Sequence, residues 1–184
     1  MKVLGISGSL RRDSHNAALL RAAALQLPPG VELELWEGLK AVPPYDADDE
    51  ALARPRAIRE LDAAIREADA VLIATPEYNS SIPGVLKNAL DWASRPLVES
   101  PVRNKPVAVI SSSTGMFGGV WAAAETRKVL GALGARTLED TVAVAKAEQR
   151  LADGVDAELL EELRGVVDAL ADAVREREAA RLAA

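Results

Sequence analysis

Apolar residues recur along the chain with two different periods, which predict alternating strands and helices. Five short stretches are continuously apolar, or alternate apolar with polar residues, as buried and half-buried strands do. These strands are predicted at Lys2–Ser7, Val31–Leu35, Ala70–Ala74, Val107–Ile110 and Thr137–Val144. Five other stretches place apolar residues three or four positions apart, as amphipathic helices do. These helices are predicted at Asn16–Leu27, Arg54–Ala68, Gly84–Ala93 and Val120–Leu133, with a last helix spanning Leu159 to Val174.

The alternation of strands with helices predicts an α/β fold with right-handed crossovers and helices on both faces of a parallel sheet. In open sheets of this kind, ligands bind beyond the carboxyl ends of the strands, where the strand order reverses. The segments that follow the first, third and fourth strands are all rich in Gly, Ser, Asn or Pro. A ligand at that edge would contact all three segments. The segment 37–53, acidic and with Pro43 and Pro44, is interpreted as a loop.

Composition narrows the chemistry that this edge can perform. The chain has 184 residues, no Cys and one His, with a net charge of −6. The lack of Cys excludes disulfides and thiolate catalysis, and a single His makes a catalytic zinc site a poor interpretation. The acidic balance argues against nucleic-acid binding. No run approaches the length of a membrane span, and the first residues do not resemble a signal peptide. We therefore expect a cytoplasmic protein of one domain, residues 1–184, that neither binds nucleic acid nor enters a membrane.

The first segment, GISGSLRRDSHN, suits a phosphate group. A helix N-terminus offers unpaired N–H groups and partial positive charge, to which Ser9, Ser14, Asn16 and Arg11 add side-chain donors. The alternative is a plain helix cap by Asp13 or Ser14 beside solvated arginines. The glycine spacing fits neither a Walker loop nor a dinucleotide fingerprint. We interpret His15 as an exposed first-turn residue, and include it among the candidate cofactor contacts rather than as a catalyst.

The second segment, TPEYNSSIPGVLKNALDW, begins as a stiff polar loop and continues into a helix. Pro76, Tyr78 and Asn79 offer rigidity, an aromatic face and polar contacts. Glu77 is either a general base or a structural acceptor of backbone N–H groups, and we favour the structural role because no partner acid or nucleophile is evident. The helical half contains Lys87, Asn88, Asp91 and Trp92, which we interpret as residues of packing, surface pairing or an oligomer contact rather than of catalysis.

The third segment, SSSTGMFGG, offers accessible backbone N–H groups. Because Gly118 and Gly119 lack a Cβ, we expect a planar group to lie almost against the chain there. A flexible turn that opens the next helix is an equally weighted alternative.

Taken together, the three segments resemble the NADPH-dependent FMN reductase family, which includes chromate, quinone and azo-dye reductases. GSLRRDSHN resembles the family's GSLRxxSxN phosphate signature, and SSSTGMFGG resembles its loop with a double glycine. PEYNSSIPGVLKNALDW is similar to PEYNGSIPGxLKNAxDW, the most specific of the three, and LKAVPPYDADD is a weaker match. Two residues depart from the family pattern: Ser80 stands where Gly is usual, and Trp121 where a polar or basic residue is common.

The resemblance implies a flavodoxin-like three-layer α/β/α sandwich with a five-stranded parallel sheet in the order 2-1-3-4-5. It implies bound FMN, NADPH or NADH as co-substrate, a small-molecule electron acceptor, and a homodimer or homotetramer. The chemistry would occur at the flavin, so no catalytic side chain and no metal are expected. By resemblance, the FMN phosphate would be held by Ser9, Arg11, Ser14 and Asn16. The ribityl chain and ring would be lined by Pro76, Glu77, Tyr78 and Asn79, and the pyrimidine edge approached by Ser113, Gly115, Gly118 and Gly119.

Two rival functions stay open from the sequence. The nearer is a flavodoxin-like electron carrier, which holds FMN but does not turn over NAD(P)H by itself. The other is a non-redox module that binds a phosphorylated ligand through the first segment alone, and it leaves the other two segments unexplained.

Overall fold

A parallel sheet flanked by helices organises the chain in the computed structural model, which describes residues 1–183. The strands are β1 Lys2–Ser7, β2 Glu32–Trp36, β3 Ala70–Thr75, β4 Pro106–Ser112, β5 Arg136–Thr137 and β6 Ala143–Val144. The α-helices are α1 His15–Ala24, α2 Arg56–Glu67, α3 Gly84–Ala93, α4 Val120–Ala132, α5 Ala147–Arg150 and α6 Ala157–Leu182. Short 3-10 helices lie at Gly38–Ala41, Ala47–Ala51 and Leu97–Glu99.

The strand order β2-β1-β3-β4-β5 confirms the order that the family resemblance implied. Side chains alternate between the two faces of the sheet, so each face has its own core. One face packs Ala70, Leu72 and Ile110 against α1 and α6, and the other packs Val71 and Ile73 against α2, α3 and α4. These are the three layers of the predicted sandwich.

The predicted fifth strand, Thr137–Val144, is wrong as a continuous element. It is split into β5 and β6, both of which pair with β4. Val107 of β4 pairs with Thr137 and Ser111 pairs with Ala143, so the fifth strand carries two more residues than β4 over the same span. The extra residues bulge out of the ladder, and the Thr141 hydroxyl replaces a backbone donor by donating to the Val109 carbonyl at 2.6 Å.

Most other predicted bounds differ by a few residues. Helix α1 ends at Ala24 rather than Leu27, because Leu25 N–H turns back to the Ala22 carbonyl in a tight last turn before Pro28. The predicted loop 37–53 contains two 3-10 turns, and α5 was not expected. Within residues 1–183 no helix is both long and apolar enough to cross a membrane.

Candidate functional site

The three polar segments meet in one cleft of about 140 Å³ at the carboxyl edge of the sheet. Nine of the thirteen predicted site residues line this cleft: Ser9, Arg11, Ser14, His15, Asn16, Pro76, Glu77, Tyr78 and Ser113. Ser112 and Thr114 also line it and were not predicted. Asn79, Gly115, Gly118 and Gly119 lie outside this lining. The three segments thus meet at one edge of the sheet as expected, and all five predicted residues of the first segment line the cleft.

The first segment joins β1 to α1 and combines a capped helix with exposed cations. Ser14 is the N-cap of α1, and its Oγ accepts from Ala17 N at 3.3 Å, as the helix-cap alternative expected. Ser9 Oγ accepts from Arg11 N at 3.4 Å. The Arg11 guanidinium has no ion pair or hydrogen bond to any residue within 1–183. The cap and the exposed donor therefore coexist, so the two interpretations of this segment are compatible.

Asn16 links the first segment to the third. Its side chain is 3% exposed, its Nδ2 donates to Ser112 O at 3.2 Å, and its Oδ1 accepts from Ser112 N at 3.0 Å. The amide side chain was predicted as a phosphate donor, but here both of its ends contact protein backbone. Asn16 thus fixes the distance between the α1 N-terminus and the end of β4, which form two walls of the cleft.

The second segment contains a tight two-residue turn a few residues after β3 ends. Tyr78 and Ser81 exchange two backbone hydrogen bonds of 3.1 Å, and the residues between them, Asn79 and Ser80, have φ of 53° and 61°. Positive φ at both central positions is the geometry of a type I′ turn, which favours Asn followed by Gly. The backbone conformation therefore explains why Gly is usual at position 80, because a positive φ costs Ser80 about 1 kcal/mol or more relative to Gly.

Two glutamates join the second segment to α4 in opposite directions. Glu77 Oε2 accepts from the backbone N–H of Trp121 at 3.1 Å and of Ala122 at 3.2 Å. These are free donors in the first turn of α4, so the structural role favoured for Glu77 is the one observed. Glu125 of α4 reaches back, and its Oε2 accepts from Ser81 Oγ at 2.6 Å and Ile82 N at 3.3 Å. These hydrogen bonds, that of Ser81 first, lower the pKa of the Glu125 carboxyl.

The third segment needs its double glycine for close protein contacts, a reason that the sequence did not supply. A Cβ on Gly118 would lie 2.7 to 2.9 Å from backbone atoms of Ala143 and Ala145. A Cβ on Gly119 would lie 3.1 Å from Ser111 Cβ, and both glycines have positive φ. The missing side chains thus face the β6 segment and the end of β4, because the loop folds closely over them. The predicted contact between these glycines and a planar ligand stays a prediction.

The hydroxyl groups at the end of β4 are unusual in having no protein partner. Ser111 and Ser112 are fully buried, and the Oγ of each lacks a hydrogen bond to any of residues 1–183. Ser113 differs, because its Oγ accepts from Gly115 N at 3.1 Å. An unsatisfied buried hydroxyl is uncommon in a native protein. Since Ser112 lines the cleft, its Oγ is a candidate contact for a ligand that the sequence did not single out.

The helical half of the second segment holds a distant loop. Asn88 Nδ2 and Trp92 Nε1 both donate to Pro43 O, at 2.8 and 2.9 Å, and Asn88 Oδ1 accepts from Tyr45 N at 2.8 Å. Lys87 pairs with Asp91 on the outer face at 2.6 Å. The packing role preferred for these residues is the one observed. The most specific motif of the chain thus also positions the Pro–Tyr–Asp segment.

Comparison with known proteins identifies the family. The family model described as NADPH-dependent FMN reductase matches residues 1–149. An NAD(P)H-dependent FMN reductase of Pseudomonas aeruginosa is 49% identical over 130 residues, which are 71% of this chain and 69% of the relative. A quinone reductase of Escherichia coli is 33% identical over 95% of this chain and 96% of its own length.

A solved structure has the same architecture. It is FerB, described as a flavoenzyme NAD(P)H:(acceptor) oxidoreductase from Paracoccus denitrificans, with a TM-score of 0.82 and 35% identity over 96% of this chain and 98% of that one. The chain belongs to the NADPH-dependent FMN reductase family, which confirms the oxidoreductase class and the cofactors FMN and NAD(P)H that the loop motifs predicted.

Proposed function

We propose that this chain transfers hydride from NAD(P)H through bound FMN to a small electron acceptor in a ping-pong cycle. The acceptor class favoured here is a quinone, because relatives over most of the chain carry the name quinone reductase. Chromate, azo dyes and free flavin are further acceptors to be tested. The observation that carries the proposal is the single cleft in which a phosphate-suited loop and two polar loops meet.

The residues at one end of the cleft fit the FMN phosphate. Ser9, the N-terminus of α1 and the unpaired Arg11 supply neutral donors, partial positive charge and a full cation. The Ser112 Oγ, buried in the same lining, adds a hydroxyl that has no hydrogen-bond partner among residues 1–183. Asn16 is given a different role from the one first expected, that of holding the third segment beside the first.

The other end of the cleft suits a flat ring. Pro76 is buried and rigid, while Tyr78 is about half exposed at 47%. Glu77 and Glu125 fix this loop to α4, so the wall that the ring would contact is positioned before any ligand arrives. When bound, FMN itself supplies the two-electron chemistry, and the chain binds and orients it. We expect NAD(P)H and the acceptor to use the exposed face of the bound flavin in turn, which would give the ping-pong cycle.

The test begins with FMN retention and continues with kinetics. Protein loaded with FMN and passed through gel filtration is expected to keep the flavin and to oxidise NADPH when a benzoquinone is added. Initial rates over a matrix of NADPH and quinone concentrations are expected to give parallel double-reciprocal lines. Loss of FMN on the column overturns the cofactor assignment. Retained FMN without NAD(P)H oxidation supports the electron carrier, and intersecting lines overturn the ping-pong cycle.

The expected homodimer or homotetramer stays a prediction. Phe117 and Trp121 are both exposed and pack edge to face, with ring centroids 4.9 Å apart. Exposed aromatic groups of this kind are common in protein interfaces. Light scattering of the FMN-loaded protein measures the oligomeric state directly, and a monomeric mass over a wide concentration range would contradict the prediction.

A further inference from the structure

A second cleft lies next to the first, and none of the three polar segments was assigned to it. It has a volume of about 370 Å³, within the range of small-molecule sites, and lies between α1, the end of β2 and the 3-10 helix Gly38–Ala41. It shares Ser9 and Arg11 with the flavin cleft, so the two clefts meet along the β1–α1 loop. A long ligand bound over one cleft could therefore extend into the other.

The second cleft concentrates positive charge in a chain that is acidic overall. Its lining contains Arg11, Arg12, Arg21 and Lys40 but only one acid, Glu37. The chain as a whole carries 22 basic and 28 acidic residues. Across the part of the chain that the structure describes, residues 1–183, none of the four cationic side chains forms an ion pair or a hydrogen bond. Of the other 18 basic side chains, eight pair with an acid and five more donate a hydrogen bond within residues 1–183, such as Arg56 to Glu60 and Arg136 to Asn104. Unpaired cations around a cavity indicate an anionic ligand.

The apolar part of the lining indicates that the ligand also carries a flat ring. Leu20 and Leu39 are buried at its base, and Trp36 at the end of β2 is half-buried along its wall. An indole beside basic side chains suits a flat heterocycle that carries phosphate groups, since the ring stacks on the indole while the cations bind the anion. A phosphorylated purine nucleoside has both features.

We propose that this second cleft binds the adenosine 2′-phosphate end of NADPH and so sets a preference for NADPH over NADH. The proposal rests on the proposed function, in which the nicotinamide end reaches the flavin cleft. NADPH and NADH differ only in the 2′-phosphate, so cations that contact this group distinguish them. Arg12, Arg21 and Lys40 are the assigned contacts, and Trp36 is the assigned wall for the adenine.

The decisive variant is Arg21→Gln with Lys40→Gln, since neither residue lines the flavin cleft. Because both side chains are exposed, we expect kcat/KM for NADPH to fall roughly tenfold and kcat/KM for NADH to change less than twofold. The matched control, Arg103→Gln with Arg181→Gln, removes the same charge from exposed positions near the amino edge of the sheet. Both nicotinamides are expected to react with the control as with wild type.

A binding measurement gives a readout that does not depend on turnover. Calorimetric titration of the FMN-loaded protein with adenosine 2′,5′-bisphosphate is expected to show saturable binding, weaker by roughly tenfold in the Arg21→Gln, Lys40→Gln variant. Adenosine 5′-monophosphate is expected to bind more weakly and to be insensitive to that variant. Trp36→Leu is expected to weaken both nucleotides, because both would stack on the indole. If the first double variant does not fold, Arg12→Gln with Arg21→Gln repeats the test.

The outcomes separate this inference from the function on which it rests. The nucleotide site is overturned if the double variant loses kcat/KM equally for NADPH and NADH. It is also overturned if the bisphosphate does not bind, or binds the variant as tightly as wild type. In either case, NADPH oxidation by wild type still supports the proposed function. Bisphosphate binding that responds to the variant, in a protein that oxidises neither nicotinamide, supports the site and overturns the proposed activity.

Discussion

Two regions at the same edge of the sheet differ in how their polar groups are used. In the loop pair, residues 75–83 and 111–119, the polar side chains that connect the loops to α4 or brace them internally have protein partners, whereas the buried Ser111 and Ser112 Oγ atoms have none among residues 1–183. Glu77 caps α4, Glu125 holds Ser81, and Ser113 bonds Gly115 within its own loop. In the basic rim, defined as Arg11, Arg12, Arg21 and Lys40, no side chain has such a partner over residues 1–183.

This difference indicates which residues shape the site and which bind the ligand. Polar groups that are satisfied in the free protein hold the walls in place, and their loss is expected to lower stability. Cations that are unsatisfied in the free protein await a ligand, and their loss is expected to lower affinity while leaving stability unchanged. The comparison thus predicts opposite readouts for variants only a few residues apart.

The largest expected effect is in the loop pair. Gly118→Ala places a Cβ within 3 Å of the Ala143 and Ala145 backbone at a φ of 64°, so we expect a loss of roughly 3 kcal/mol in the free energy of unfolding. Urea denaturation of the apoprotein measures this loss. Gly30→Ala is the matched control, because φ there is 81° but, among residues 1–183 and apart from its chain neighbours, no atom lies within 4 Å of the added Cβ. Equal losses in the two variants would show that φ alone, and not the contact with β6, requires glycine at position 118.

The next effect is in the basic rim. Arg11→Ala removes an unpaired guanidinium from the flavin cleft, so FMN affinity is expected to fall by about 1.5–3 kcal/mol, the usual range for a charged hydrogen bond. Quenching of FMN fluorescence on titration into apoprotein measures the affinity. The free energy of unfolding of the apoprotein is expected to stay unchanged, and so is FMN affinity in Arg103→Ala. An Arg11→Ala apoprotein that is clearly less stable, with unchanged FMN affinity, would contradict the distinction between the two regions.

The same distinction explains which features the sequence predicted. Hydrophobic periodicity predicted both bounds of α3 correctly, because buried residues repeat at regular intervals along a helix. The sheet order was implied by the resemblance of the loop motifs to the family. The split of the fifth strand was missed because Thr137–Val144 has strand-like composition, and its two surplus residues show only when counted against β4. Glu125 was missed because an exposed acid on a helix gives no local signal of a contact 44 residues away. The second cleft was missed because its cations come from three separate elements.

A smaller loss of stability is expected from the Glu77 cap. Glu77→Ala leaves two first-turn donors of α4 without a carboxylate acceptor, so the free energy of unfolding is expected to fall by about 1–2 kcal/mol. Glu77→Gln retains an acceptor but not the charge, and is expected to lose roughly half as much. Thermal or urea unfolding of the apoproteins measures both. If a Glu77 variant is as stable as wild type but binds FMN much more weakly, Glu77 contacts the ligand rather than stabilising the loops.

The smallest expected effect concerns pH and the reciprocal contact of Glu125. Hydrogen bonds from Ser81 and Ile82 lower the pKa of the Glu125 carboxyl in the folded protein below its usual value. A carboxyl whose folded pKa is depressed stabilises the protein above its unfolded pKa, and this contribution is lost as pH falls through the folded pKa. The loss of stability on acidification below about pH 4.5 is therefore expected to be slightly smaller in Glu125→Gln than in wild type. Unfolding midpoints measured from neutral to acid pH test this, with Glu161→Gln as a control on α6. Identical acid dependence in wild type and Glu125→Gln would show that the return contact from α4 adds nothing to the Glu77 cap.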